Sequence, residues 1–251
     1  MTPWEIIAIF VAGVAAGGIN AVVGSGSLIT FPTMVALGIP PIVANVSNNI
    51  GLVPGSLTGA LGYRAELGGQ RDRLIRLGAA SVAGSLIGGV LLLFLPVDTF
   101  DVVVPILIGL ACVLVVIQPR LNRWLSARRE DPHPHGGPWL WVGVFAAGIY
   151  GGYFGAAQGV LLIGLLGSFL DDDLQRVNAA KNVLSLLVNG TAAILFIAVA
   201  EVDWRAVALV ALGATIGGFL GAKVGRKLPA PVLRGFIVCI GILAIVKLVY
   251  G

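Results

Sequence analysis

The chain has 251 residues, of which 57% are hydrophobic and 11% charged, with a formal net charge of +4 and a mean hydropathy of +0.98. That leaves too little polar surface for a soluble domain, so the composition excludes one and points to an integral membrane protein. The basic balance comes from arginines that flank apolar runs, which is a topological signal and not a nucleic-acid-binding one.

In chain order, Met1, Thr2, Pro3, Trp4 and Glu5 carry neither the basic region nor the small-residue cleavage site of a secretory signal. The first apolar segment, 4–23, is therefore expected to stay in the mature protein. Val23, Gly24, Ser25, Gly26 and Ser27 then form a tip rich in small residues, followed by a short apolar segment at 25–38. Longer segments follow at 41–63, 74–95 and 99–118. The polar stretch 118–138 holds Arg120, Arg123, Arg128, Arg129, Glu130, Asp131, His133 and His135 among prolines and glycines and reads as a linker. The second series comprises 139–154, a tip at 154–159, a short segment at 156–170, and longer ones at 177–200, 204–222 and 232–249. The long segments approach the roughly 20 residues a helix needs to cross a bilayer, and the two short ones do not.

Residues 45–96 recur at an offset of 133: Asn45, Asn49, Thr58, Gly84, Gly88 and Pro96 align with Asn178, Asn182, Thr191, Gly217, Gly221 and Pro229. Loops 64–76, 119–137 and 223–234 hold four Lys or Arg each, 171–176 and 201–205 one each, and 96–101 none. By the positive-inside rule the three basic loops and 171–176 face the cytoplasm, while 96–101 and 201–205 face out. Segment 41–63 then ends inside whereas its counterpart 177–200 ends outside, so the two copies are inverted. The expected fold is an all-α integral membrane protein with two inverted-topology repeats, 1–118 and 139–251, joined by a cytoplasmic linker at 119–138. Each repeat is a broken or re-entrant helical hairpin plus three transmembrane helices. Both termini are expected on the outer side of the cell (inner) membrane.

Each hairpin must begin and end on one side. As continuous helix, the 35 residues of 4–38 reach about 52 Å, against roughly 60 Å for two crossings, so the hairpin falls short of the far side or returns through a broken, tilted arm. A helix broken at membrane depth survives only where its backbone is buried in protein or lines a wet cavity. The arm leaving each tip would aim N–H groups and a positive dipole end at the space between the halves, which suits an anion.

Polar residues gather near the same level. Asn45, Ser47, Asn48 and Asn49 in the first copy correspond to Asn178, Ala180, Lys181 and Asn182 in the second. Helix-to-helix hydrogen bonding is the plain reading of the asparagines. Lys181 differs, since it lies well inside a span and the spans offer no carboxylate: Glu5, Glu66, Asp98, Asp101, Asp171, Asp172, Asp173, Glu201 and Asp203 all fall at ends or loops. A transported anion is the simplest counter-charge, and a cation carrier is disfavoured. The substrate-binding set is Lys181 for charge, Asn48, Asn49 and Asn182 for orientation, and Ser25, Gly26, Ser27, Gln158 and Gly159 from the tips, with Asn45 and Asn178 beside them. His133 and His135 form no metal constellation, Cys112 and Cys239 are packing residues, and Gly84, Gly88, Gly217 and Gly221 have the spacing of close helix contacts. No nucleophile elbow, phosphate loop or catalytic carboxylate pair appears, so neither enzyme activity nor a cofactor is expected.

A glycine-rich tip, a short apolar segment and an Asn/Ser cluster about 20 residues on, all duplicated, resemble the TauE/SafE sulfite exporter family over nearly the whole chain. The residues that carry the resemblance are Gly24, Ser25, Gly26, Ser27 and Leu28 with Pro32, the stretch 44–49, and their partners at 155–160 and 178–182. The chain departs from the family's longer glycine run at Ser25, Ser27, Ala156, Ala157 and Gln158. The resemblance implies transport of sulfite, thiosulfate or an organosulfur anion. Sulfite export is the expected activity, because an inside-negative potential drives an anion outward by about 2.3 kcal/mol per charge per 100 mV. One repeat rocking against the other would alternate access. An anion channel of the same fold, an uptake carrier and a non-transporting membrane subunit are the rival readings. The expected partners are a small anion and the lipid bilayer, with a homodimer left open.

Overall fold

The structure is a computed structural model. It describes residues 1–94, 96–127 and 136–224, and beyond these only 235, 238, 239, 242, 243, 245 and 246. His133, His135, Pro229, most of the basic loop 223–234 and most of the last apolar segment, 232–249, lie outside the described residues, as does the linker from 128 to 135.

Among the described residues the regular structure is helical. The helices are α1 (Pro3–Val22), α2 (Ser27–Ala36), α3 (Pro41–Gly62), α4 (Arg71–Phe94), α5 (Val97–Ala127), α6 (Gly137–Tyr153), α7 (Gln158–Phe169), α8 (Leu174–Val199) and α9 (Trp204–Val224), with a short 3-10 turn at Arg64–Leu67. Their starts are written locally. Thr2 and Glu5 form a reciprocal capping box that spans Pro3, the first residue of α1. The Asp173 carboxylate accepts the N–H groups of Gln175 and Arg176 at 2.8 and 3.1 Å, and Asp203 accepts those of Arg205 and Ala206 at 3.0 and 3.1 Å. Among the described residues, four helices are long and apolar enough to cross a membrane: α1, α4, α8 and α9. The polar residues of α3 lower its hydropathy, and α6 has 17 residues. As expected, α2 and α7 are short, with 10 and 12 residues, or about 15 and 18 Å.

The structure departs from the sequence reading in α5, which runs on to Ala127 instead of stopping near 118. Nothing between Arg120 and Ala127 breaks a helix, and Leu121, Trp124 and Leu125 recur at helical spacing.

Several helix pairs pack backbone to backbone among the described residues, α1–α9 and α4–α6 most closely. Along α1 and α9, which run parallel, a β-carbon on Gly13 would lie 3.1 Å from the Val210 Cα, one on Gly17 would strike Ala214, and one on Gly217 would fall on the Val14 carbonyl oxygen. Along α4 and α6, also parallel, β-carbons on Gly84 and Gly88 would fall on the carbonyl oxygens of Phe145 and Ile149. A β-carbon on Gly221 would likewise meet the Gly18 backbone, so the four repeated glycines Gly84, Gly88, Gly217 and Gly221 all close helix seams, the role their spacing suggests. On its other side α9 packs against α3, where Thr58 Oγ1 donates to the Thr215 carbonyl at 3.2 Å. Likewise α4 packs against α8, where Ser85 Oγ donates to the Val188 carbonyl at 2.8 Å. Helices α3 and α8 meet antiparallel. Asn189 Nδ2 donates to Ser56 Oγ at 3.2 Å across a separation of 133 residues, the offset of the sequence repeat.

Where α4 and α8 begin, Asp172 forms ion pairs with Arg73 and, at 2.7 Å, with Arg176 Nε. Arg176 Nη1 also donates to the Gly68 carbonyl at 3.0 Å. Burial pushes the Asp172 carboxyl upward, but the hydrogen bonds and charges of the two guanidinium groups outweigh it and hold the carboxyl below its ordinary value. A depressed carboxyl stabilises the fold above its unfolded value near 3.9, and that contribution fades as pH falls through the lower folded value. Because solvent reaches the cluster and screens it, Asp172→Asn is expected to cost about 1 kcal/mol at neutral pH. In thermal unfolding at stepped pH, the gap between variant and parent should close below about pH 4; a gap unchanged by pH would contradict the assignment.

Candidate functional site

The two hairpins turn at the tips predicted from composition, and the tips touch. The first turn passes through Gly24 at φ 84° and the second through Gly155 at φ 75° and Ala157 at φ 59°. Glycine takes this left-handed region freely. Ala157 holds it at a cost of about 1–3 kcal/mol, which the surrounding structure must sustain. The Gly159 N–H donates to the Gly24 carbonyl at 3.0 Å. A β-carbon on Gly24 would land on the Gly159 backbone, so only glycine permits this approach.

Side chains from α3 and α8 hold the ends of the opposite hairpin. Asn45 Nδ2 donates to the Tyr153 carbonyl, the last of α6, at 2.9 Å. Its counterpart Asn178 donates to the Ala21 carbonyl near the end of α1 at 3.2 Å, as does Asn182. Lys181, with none of its surface exposed, donates from Nζ to the carbonyls of Asn20 and Ala21 at 2.9 and 3.2 Å. A cation at a helix C-terminus meets the negative end of the dipole. These bonds occupy two of the three ammonium N–H groups, and no ion pair engages Lys181 among the described residues. Asn48 behaves differently from Lys181, its counterpart, since it stays within its own half: Nδ2 donates to Ser27 Oγ at 3.1 Å and Oδ1 accepts from Thr30. Gly26 caps α2.

Four of the sequence-derived residues bury polar atoms that find no hydrogen-bond partner among the described residues: Ser25 Oγ, Gln158 Nε2, Asn49 Oδ1 and Asn178 Oδ1. Ser25 is 1% exposed and Gln158 3%, and each directly follows or precedes the glycine through which the tips touch. A buried polar atom without a partner costs about 1–3 kcal/mol, so such atoms mark a place where something else is bound. Two open grooves among the described residues lie elsewhere. One of about 470 Å³ runs beside Arg71, Leu74, Ile75 and Leu187, and another of about 320 Å³ beside Met1, Ile6 and Arg205.

Sequence reasoning missed Asn20, Ser56, Asn189, Thr30 and Tyr153. Asn20 Nδ2 donates to Ser56 Oγ at 3.3 Å, the same oxygen that Asn189 reaches. Ser56 and Asn189 carried a readable signal, since they stand at the repeat offset. Asn20 stood out as a polar residue in an apolar run. Tyr153 had no signal, because its backbone carbonyl is what Asn45 engages. Cys112 and Cys239 are free thiols.

Residues 9–248 match the family described as "Sulfite exporter TauE/SafE". Among curated proteins, the chain is 26% identical over 255 residues to the "Probable membrane transporter protein YfcA" of Escherichia coli K12, with 100% of this chain and 91% of that protein aligned. It is 27% identical over 248 residues to a "Probable membrane transporter protein" of Haemophilus influenzae, covering 98% and 95% of the two chains. A third relative, "Probable membrane transporter protein ORF9" of a Sinorhizobium species, is 23% identical over 242 residues, covering 96% and 90%. No solved structure matches the chain. With nearly its full length matched and several helices long and apolar enough to span a bilayer, the chain belongs to the TauE/SafE sulfite exporter family of multi-pass membrane transporters.

Proposed function

We propose that the protein is a secondary transporter that exports a small sulfur oxyanion, sulfite first, by alternating access to a site between two inverted repeats. The observation that carries this reading is the set of buried, unpartnered polar atoms: Ser25 Oγ and Gln158 Nε2 next to the touching glycines, and Asn49 Oδ1 and Asn178 Oδ1 on α3 and α8. Ser25 Oγ and Gln158 Nε2 offer donors, and Lys181 has one N–H left after its two carbonyl bonds. Carbonyl bonds orient an ammonium without cancelling its charge, so an anion entering the site gains a charge-assisted hydrogen bond. The amide oxygens of Asn49 and Asn178 suit the proton of hydrogensulfite, and the same amides turned over would donate to its oxygens.

The antiparallel contact of α3 with α8, and the Ser56 to Asn189 bond at the repeat offset, support the inverted arrangement, because equivalent residues meet on the axis that relates two copies. The basic loops put the linker in the cytoplasm and both termini outside the cell inner membrane. An inside-negative potential then drives export without a coupled ion. In proteoliposomes under an imposed inside-negative potential, sulfite efflux is expected to be saturable and stimulated by the potential. Efflux no faster than from empty liposomes, with protein shown to be folded, would sink the proposal.

A further inference from the structure

We infer that the bodies that move against each other are not the two sequence halves but two hybrid units, one made of α1, α3 and α9 and the other of α6, α8 and α4. The inference rests on the transport reading above and names its moving parts.

Contacts inside each unit are of a kind that resists sliding. The α1–α9 and α4–α6 seams close through backbone atoms at Gly17, Gly217, Gly84 and Gly88, with no room for a single methyl group. Backbones interlocked at that distance have one register, since a small displacement brings carbonyl oxygens into overlap. Each unit also carries a polar fastening where its helices begin. Asp172 and Arg176 at the head of α8 bind Arg73 of α4 and the Gly68 carbonyl just before it. The Asp203 N–H at the head of α9 donates to Ser47 Oγ of α3 at 2.9 Å. Both fastenings join helices from opposite halves of the sequence.

The border between the units is held in another way. There α3 packs against α8 through side chains, with no glycine of either helix closed on the other's backbone among the described residues, and the polar links across it are single hydrogen bonds: Asn189 to Ser56, Asn45 to the Tyr153 carbonyl, and Asn178, Asn182 and Lys181 to the carbonyls ending α1. Each is worth about 1 kcal/mol net and can break and re-form singly, a cost within reach of μs to ms motion. Asn178, whose amide reaches from α8 to the Ala21 carbonyl of α1, carries an unpartnered oxygen on this border, and Ser25 and Gln158 carry theirs next to the two glycines where the tips meet. A ligand there would touch both units, as alternating access requires. Movement of whole sequence halves would instead have to tear both glycine seams.

Distances between paired spin labels separate the two schemes, with cysteines placed at exposed sites in a chain whose own cysteines are changed to serine. Trp4, Trp204 and Phe94 are all strongly exposed. Trp4→Cys with Trp204→Cys joins different halves but one hybrid unit, and should give a single distance unmoved by sulfite. Trp4→Cys with Phe94→Cys joins one half but different units, and should shift on adding sulfite by more than the width of its distribution. The reverse pattern, or two distances that both shift or both hold in protein that carries sulfite flux, would overturn the hybrid units and leave transport standing. Absence of flux from folded, labelled protein would overturn the transport reading and this inference with it.

Discussion

Lys181→Met is expected to cut sulfite flux roughly 100-fold while leaving a folded, monodisperse protein, the counterpart of about 3 kcal/mol of lost charge-assisted bonding to the anion. The fold should persist because the Ala21 carbonyl keeps the amides of Asn178 and Asn182 and loses only one of three donors. The Asn20 carbonyl loses its ammonium partner, but removing a fully buried charge from the interior offsets part of that loss. Initial rates of efflux from proteoliposomes, read beside size-exclusion profiles and thermal unfolding, check both halves of the expectation. Flux equal to the parent would remove Lys181 from the mechanism and reduce it to a clamp on α1.

Gly217→Ala should destabilise the protein by about 1–3 kcal/mol or more, because the added methyl group would fall on the Val14 carbonyl oxygen, and a backbone atom cannot turn aside as a side chain does. Gly84→Ala, on the Phe145 carbonyl oxygen, should behave alike at the equivalent seam. Gly190→Ala makes the contrast, as nothing lies within 4 Å of its new β-carbon. Alanine there should be neutral or stabilise α8 by up to about 1 kcal/mol through helix propensity. Thermal unfolding of the three variants in one detergent provides the comparison. Equal loss at Gly190 and Gly217 would mean that the seams are not what hold α1 to α9.

Much of the geometry of the candidate site was legible because membrane sequences mark breaks and polar atoms loudly. A run of small residues at 23–27 and at 154–159 stands out against apolar surroundings, and α2 and α7 were recognisable as short from the length of their apolar runs alone. Buried amides and Lys181 were conspicuous for the same reason. Their partners were not legible. The sequence left Lys181 needing a counter-charge, whereas the structure gives its N–H groups to the carbonyls of Asn20 and Ala21. A backbone carbonyl has no residue identity to betray it. The extension of α5 to Ala127 was hidden by Pro119 and the surrounding charge, which read as linker although the residues after Pro119 sustain a helix.

Composition, run length and the repeat offset by themselves determined that the chain is a helical membrane protein, where its hairpins turn and which polar residues gather at the turns. These follow from transfer of apolar and polar groups into hydrocarbon, which acts residue by residue. Only the tertiary structure decided which helices are neighbours. Segments of nearly equal apolarity gain the same from the bilayer whatever they touch, so partner choice rests on backbone shape, and glycines along the chain do not say which carbonyl ridge will fill their grooves. That choice paired α1 with α9 and α4 with α6, brought Gly24 onto Gly159, and set Lys181 beside the end of α1.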